Sequence, residues 1–227
     1  MPKTVLTDVR CFAVGLDLTS HSNKLELTSE VEAKPTTNYG SQGWTEVVGG
    51  LASAQISGEG QWEAGDATKV DDTAAVGGLA YFTRAMRADY TLLAEVGEVA
   101  PWTSTAKSSW PLVRGQFAHP PGTPRTATGT GTALQVGPVP AGKRLYAALH
   151  VLSVAGTTPS LTARVESAPA EAFASPTTRL TFDAATAAGG QALRTDGTAI
   201  TDTWWRVAWT ITGTTPSFLL AAALGIG

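Results

Sequence analysis

Gly156-Thr157-Thr158-Pro159-Ser160 recurs as Gly213-Thr214-Thr215-Pro216-Ser217, an offset of 57 residues. Each copy follows a long strand-like run and precedes an apolar one. Before the first copy lies Leu145-Tyr146-Ala147-Ala148-Leu149-His150-Val151-Leu152. Before the second lies Trp204-Trp205-Arg206-Val207-Ala208-Trp209-Thr210-Ile211. In that run Trp205, Val207, Trp209 and Ile211 share one side of a period-two alternation, the pattern of a half-buried strand. Aligned on the repeat, Leu152 matches Trp209, Val154 matches Ile211 and Leu161 matches Phe218. Gly, Thr, Pro and Ser are turn formers. The repeat therefore reads as two similar hairpin turns on facing sheets, or as a duplicated hairpin. Both point to an antiparallel β-sandwich rather than a parallel α/β sheet.

Further strands flank this core pattern. Leu161 to Val165 and Arg179 to Phe182 alternate, Phe218 to Ile226 is an apolar run, and Asp196-Gly197 is a strong hairpin signal. The N-terminal part is strand-rich too: Val5 to Val14, Leu25 to Glu32, Trp44 to Val48, Ala52 to Trp62, Leu79 to Phe82, Tyr90 to Leu93 and Leu112 to Phe117. One stretch differs. Asp66 to Val76 opens on an N-cap residue, is Ala-rich and stops at Gly77-Gly78, which predicts one short helix. The Pro/Gly/Thr-rich run from His119 to Thr132 holds no apolar cluster and reads as a connector. Its Gly129-x-Gly131 has no Lys at phosphate-loop spacing. The expected organisation is a first β-sandwich lobe over 1–120, a connector over 121–132 and a second β-sandwich lobe over 133–227.

Composition narrows the function. Of 227 residues only 15% are charged, the net charge is -3 and the hydrophobic content is 43% with seven Trp. A nucleic-acid coat needs a cationic surplus, and a disordered chain is poorer in apolar residues. One Cys makes no internal disulfide. The longest apolar run, Phe218 to Gly227, is half of the about 20 residues a spanning helix needs. Met1 to Arg10 has no apolar signal-peptide core, so assembly in a cytoplasm is expected.

No catalytic constellation is visible. His21, His119 and His150 lie far apart with no ligand neighbour at metal-site spacing. His150 reads as a partly buried strand residue and Cys11 as a buried, inert thiol. Adjacent Asp71 and Asp72 do not face one another as an acid/base pair. No catalytic residue, metal or cofactor is expected. Trp62, Trp205 and Trp209 have core periodicity, whereas Trp44, Trp102 and Trp110 read as loop residues suited to an interface or to stacking on sugars.

Residues 5 to 80 resemble the tail tube (major tail) proteins of long-tailed bacteriophages. The similar features are Gly15-Leu16-Asp17-Leu18-Thr19, then Leu25-x-Leu27-x-x-x-Val31-Glu32-x-Lys34, then Gly43-Trp44-Thr45-Glu46. Gly49-Gly50-Leu51, Ile56 to Gly60 and Asp66 follow in the same order. The resemblance implies a mainly β, tail-tube-like sandwich with one short helix, followed by a second β-sandwich lobe. It implies a structural virion protein whose copies form rings, hexameric in such tubes, that stack into a conduit for DNA ejection. The implied partners are further copies of the chain, a tape-measure protein, a tail terminator and DNA passing without sequence-specific binding, with no membrane. The implied location is the virion tail after assembly in the host cytoplasm. Glu30, Glu32, Pro35, Trp44, Glu46 and Val48 are the implied inter-subunit or lumen residues; for Glu30, Glu32 and Glu46 an ordinary solvated face is the competing reading. The rival function is a carbohydrate-binding or capsid-decorating β-sandwich module on a virion, with a glycan-degrading accessory protein third.

Overall fold

The computed structural model describes residues 11–13, 16–17, 22–35, 47–61, 75–92 and 101–227. Among them the chain forms strands and no helix. In order these are β1 (Phe12–Ala13), β2 (Leu16–Asp17), β3 (Ser22–Pro35), β4 (Val47–Gln61), β5 (Leu79–Phe82), β6 (Met86–Leu92), β7 (Pro101–Ser108) and β8 (Val113–His119). There follow β9 (Gly129–Thr130), β10 (Leu134–Gln135), β11 (Leu145–Ala168), β12 (Thr177–Thr181), β13 (Gly189–Arg194) and β14 (Trp204–Ile226). All pairing is antiparallel. The mainly β, antiparallel architecture is as expected. The helix expected over Asp66 to Val76 falls almost wholly outside the described residues; its last two, Ala75 and Val76, are not helical.

Two compact units divide the chain. One draws on Met1–Ser20, Glu63–Phe82 and Val113–Gly227, the other on His21–Trp62 and Thr83–Leu112. The first is built on β11 and β14, of 24 and 23 residues, which pair along their whole lengths. The repeated pentapeptides do not end these strands, so the expected hairpin turns are corrected to corners. Gly156 and Gly213 take φ of +115° and +121°, and Thr158 and Thr215 take +47° and +48°. The pairing is irregular between Ala155 and Ser160, so Pro159 and Pro216 sit where no ladder N–H is required.

The two corners lie against each other. A Cβ on Gly156 would stand 2.7 Å from the Thr215 carbonyl oxygen, and one on Gly213 would stand 2.9 Å from the Pro159 Cα. The pairing respects the repeat offset. Thr157 opposes Thr214, Val154–Phe218 corresponds to Leu161–Ile211, and Ala155–Ser217 corresponds to Ser160–Thr212. The bent ribbon is thus a local pseudo-two-fold unit.

Bending folds the ribbon's halves onto one core. Leu145, Leu149 and Val151 from one half meet Leu161, Val165, Trp205 and Val207 from the other, with Phe218, Leu220 and Leu224. Each such side chain is worth roughly 1.5–3 kcal/mol when fully buried. The Trp205 indole N–H donates to Gly137 O at 2.8 Å and the Trp209 indole N–H to Ala127 O at 3.1 Å, so the buried rings keep their polar atoms paired. The outer face of the 145–155 half carries the small residues Ala148, Ala221 and Ala223, all buried. There Phe12 packs against Phe117 and His150, with ring centroids 6.3 and 6.1 Å apart.

Residues 121–132, expected as a connector, run along this unit. Arg125 exchanges backbone hydrogen bonds with Phe218, and Gly129 and Thr130 pair with Trp209 and Ala208. Pro- and Gly-rich composition describes the segment's lack of apolar side chains but is silent on where its backbone groups bond. The Asp196-Gly197 signal is a turn, with Thr198 N–H donating to Asp196 Oδ1 at 2.9 Å, but not a hairpin. Its flanking strands β13 and β14 both pair with β11 instead of with each other.

The second unit is a four-stranded sheet in the order β3-β4-β7-β6. Ser108 locks it where the chain enters and leaves. Its hydroxyl accepts from Thr83 Oγ1 at 2.8 Å and from the Trp110 N–H at 2.9 Å, and donates to the Arg84 carbonyl. The Arg84 guanidinium lies 5.5 Å from the centre of the Trp110 ring. Trp102, expected in a loop, lies in β7 opposite Gly60.

Candidate assembly surfaces

Every sheet that is not closed into a barrel ends in two strands with unpaired N–H and C=O groups. In the four-stranded sheet those strands are β3 and β6. β3 spans 14 residues, and its outer edge pairs with nothing among the described residues. Alternation divides its side chains. Leu25 and Leu27 are half-buried beside Ile56 and the buried Ala54, whereas Lys24, Glu26 and Glu30 are exposed on the opposite face. Large apolar residues are also exposed here, Val31 at 61% on β3 and Met86 at 76% on β6.

The expected site residues fall close together. Glu30 and Glu32 are exposed near the end of β3, with Glu30 opposite Ser53. Pro35 pairs with Val47, and Val48 with Lys34, so four of the six residues share one end of the β3–β4 hairpin. Trp44 and Glu46 lie in the segment joining these strands and outside the described residues.

Among the described residues the first unit has an open edge of its own. β5 ends its sheet, and Leu79 and Tyr81 project from it with 56% and 47% of their surface exposed. Beside it a shallow groove of about 300 Å³ is lined by Leu79, Arg114, Gln116, Gln135, Val136 and Ile226. Val31, Leu79, Tyr81 and Met86 were not singled out from sequence as contact residues. Val31 and Leu79 to Tyr81 fall in expected strands, Met86 lies ahead of the strand expected over Tyr90 to Leu93, and period-two alternation does not say which strand will lie at an edge.

The titratable groups of the first unit are structural. His119, expected in the connector, ends β8 and is buried. Its ring centre lies 4.9 Å from that of Trp209, and Arg125 Nε donates to its Nε2 at 3.4 Å. Burial, with the nearby Arg125 charge, lowers its pKa to about 4. Burial alone lowers His150 to about 4. Ser167 donates to Asp202 Oδ2 at 2.6 Å and accepts from Arg179 Nε at 2.7 Å, and Arg179 also bridges Asp202 at 3.0 Å. The Ser167 and Arg179 contacts hold the Asp202 carboxyl below its ordinary range against the effect of burial. Cys11 is half-buried and in no disulfide. Among the described residues no three His, Cys, Asp or Glu side chains converge as a metal site requires.

The fold thus belongs to the antiparallel all-β class. No protein-family model and no curated protein matches the chain. A crystal structure of the SPP1 Dit (gp 19.1) protein, described as a paradigm of the hub adsorption apparatus in Gram-positive infecting phages, aligns with 94% of this chain and 96% of that one. The TM-score is 0.32 and the identity 11%. A likeness at that level carries no argument about this chain.

Proposed function

We propose that the chain is a structural subunit of a phage tail, a tail tube protein whose copies join sheet edge to sheet edge into stacked rings. The observation that carries this reading is the second unit's sheet, open among the described residues, with a 14-residue edge strand at one side and Met86 exposed on the other edge. A free edge of that length invites pairing with another chain. Two different edges on one sheet make a head-to-tail contact, which closes into a ring when the rotation permits. Charges of both signs on β3 (Lys24, Glu26, Glu30, Glu32) would set register and exclude wrong partners. Glu26 and Glu30 on the polar face, with a net charge of -3, suit a bore that must not retain DNA phosphates. The resemblance of residues 5 to 80 to tail tube proteins supports the same reading. Stacked rings would meet other tail proteins, such as a tape measure and a terminator, in the bore and at the tube's end, and the chain would be no enzyme.

The test is sedimentation and negative-stain microscopy of the purified chain over a range of concentrations. Rings or tubes are expected, and the double variant Val31→Lys, Met86→Lys should stay monomeric with an unchanged circular dichroism spectrum. A wild-type chain that stays monomeric even at high concentration would overturn the proposal.

A further inference from the structure

The outer face of the 160–168 half of β11 carries a group of side chains that edge-to-edge assembly does not use. Glu166 is only 4% exposed and lies between two arginines. Its Oε1 accepts from Arg164 Nε at 2.7 Å and its Oε2 from Arg206 Nε at 2.8 Å. Those bonds hold its carboxyl below the ordinary range although burial acts the other way. The Phe173 ring lies over the Arg206 guanidinium with 4.3 Å from Cζ to its centre. Phe173 adopts φ of +46° in doing so, a left-handed conformation that a non-glycine residue takes at some cost.

Both arginines thus engage the carboxylate through Nε. One terminal nitrogen of Arg164 reaches only Thr210 Oγ1, at 3.4 Å. The terminal nitrogens of Arg206 donate to no protein group among the described residues. Two guanidinium groups against one carboxylate leave a local surplus of one positive charge on a chain that is acidic overall. Cross-strand neighbours on this face include hydroxyls, with Thr181 opposite Arg164, Thr178 opposite Glu166 and Thr162 opposite Thr210, while Ala208 faces Arg164 from β14.

From these contacts we infer that this face is a binding site for the oxyanion groups of an anionic carbohydrate polymer. Glu166 and Phe173 fix the two forks, their free N–H groups receive a phosphate or carboxylate, and the threonine hydroxyls meet sugar hydroxyls. A planar fork suits a two-oxygen acceptor, and a pre-ordered one loses little entropy on binding. The inference does not depend on the tail tube reading.

Titration calorimetry with phosphomannan, polygalacturonate, neutral dextran and duplex DNA tests it, at about 50 mM salt. Binding to one or both anionic carbohydrate polymers is expected, stronger for the phosphate polymer if phosphodiesters are the natural ligand and for polygalacturonate if carboxylates are. Arg206→Lys, which keeps the charge and the ion pair, should weaken binding about five- to tenfold. Glu166→Gln, which releases both guanidinium groups from their fixed positions, should weaken it as well, even though it removes a negative charge. Both variants are first checked for native melting, and Arg164→Gln serves in place of one that fails to fold. No binding to either anionic polymer, equal binding by the wild type and Arg206→Lys, or DNA bound as tightly as the polymers would each overturn it.

Discussion

His119 is buried, His150 is half-buried, and both are neutral at ordinary pH, with pKa values near 4 in the folded chain. An unfolded histidine takes its proton near pH 6.5. Between those values the unfolded state binds more protons, so stability is full above about pH 6.5 and falls as pH drops toward 4. Each histidine contributes up to about 3 kcal/mol to that loss. Urea midpoints should therefore drop clearly from pH 7 to pH 4.5, and His150→Phe should flatten the dependence. Equal midpoints at the two pH values would count against buried neutral rings. Ser108 makes a second residue-scale prediction. Ser108→Ala strips a partner from Thr83 and from the Trp110 N–H, and should cost about 1–3 kcal/mol in denaturant melts. The partial burial of His150 was legible from its mid-strand position. The burial of His119 was not, because its shielding comes from Trp209, some ninety residues away, and from Arg125.

The element that defines the first unit is the bent ribbon of β11 and β14. Its glycines have no tolerant substitute, since a Cβ at Gly213 meets backbone on the opposite corner. Gly213→Ala should destabilise by at least about 2 kcal/mol, through clash and strained φ together. Thr158 and Thr215 are the converse case, exposed β-branched residues in left-handed conformation. Thr158→Asn with Thr215→Asn should raise the melting temperature, because Asn adopts that region more readily. An unchanged or lower melting temperature would refute this. Turn chemistry at both pentapeptides was readable, but its outcome was not. A Gly-Thr-Thr-Pro-Ser run reverses a chain or bends a ribbon depending on whether a second such run stands opposite it.

At the scale of the molecule the described side chains of the two units differ in how much they bury. Among the described side chains, twenty buried apolar ones of the first unit form one cluster, whereas the second unit shows Ala54 and Ser108 as buried. The second unit should therefore open at lower denaturant than the first. Hydrogen exchange would show earlier loss of protection in β3, β4, β6 and β7 than in β11 and β14. Assembly through β3 should raise that protection, since a partner edge occupies its open hydrogen-bonding groups.

Alternation, β-branched content and the repeated pentapeptide determined by themselves that this chain is antiparallel β and that Trp205, Val207, Trp209 and Ile211 face a core. Those are local properties, because the side chains of a strand take opposite faces in turn whatever its neighbours. The clustering of Glu30, Glu32, Pro35 and Val48 at one end of a hairpin also follows from local pairing. Only the tertiary structure decided that the repeats are corners, that 121–132 packs along β14, that β3, β5 and β6 are edges, and that Arg164 and Arg206 share Glu166. Each of those depends on which segment comes to lie beside which, and that is set by the closing of one core over residues far apart along the chain.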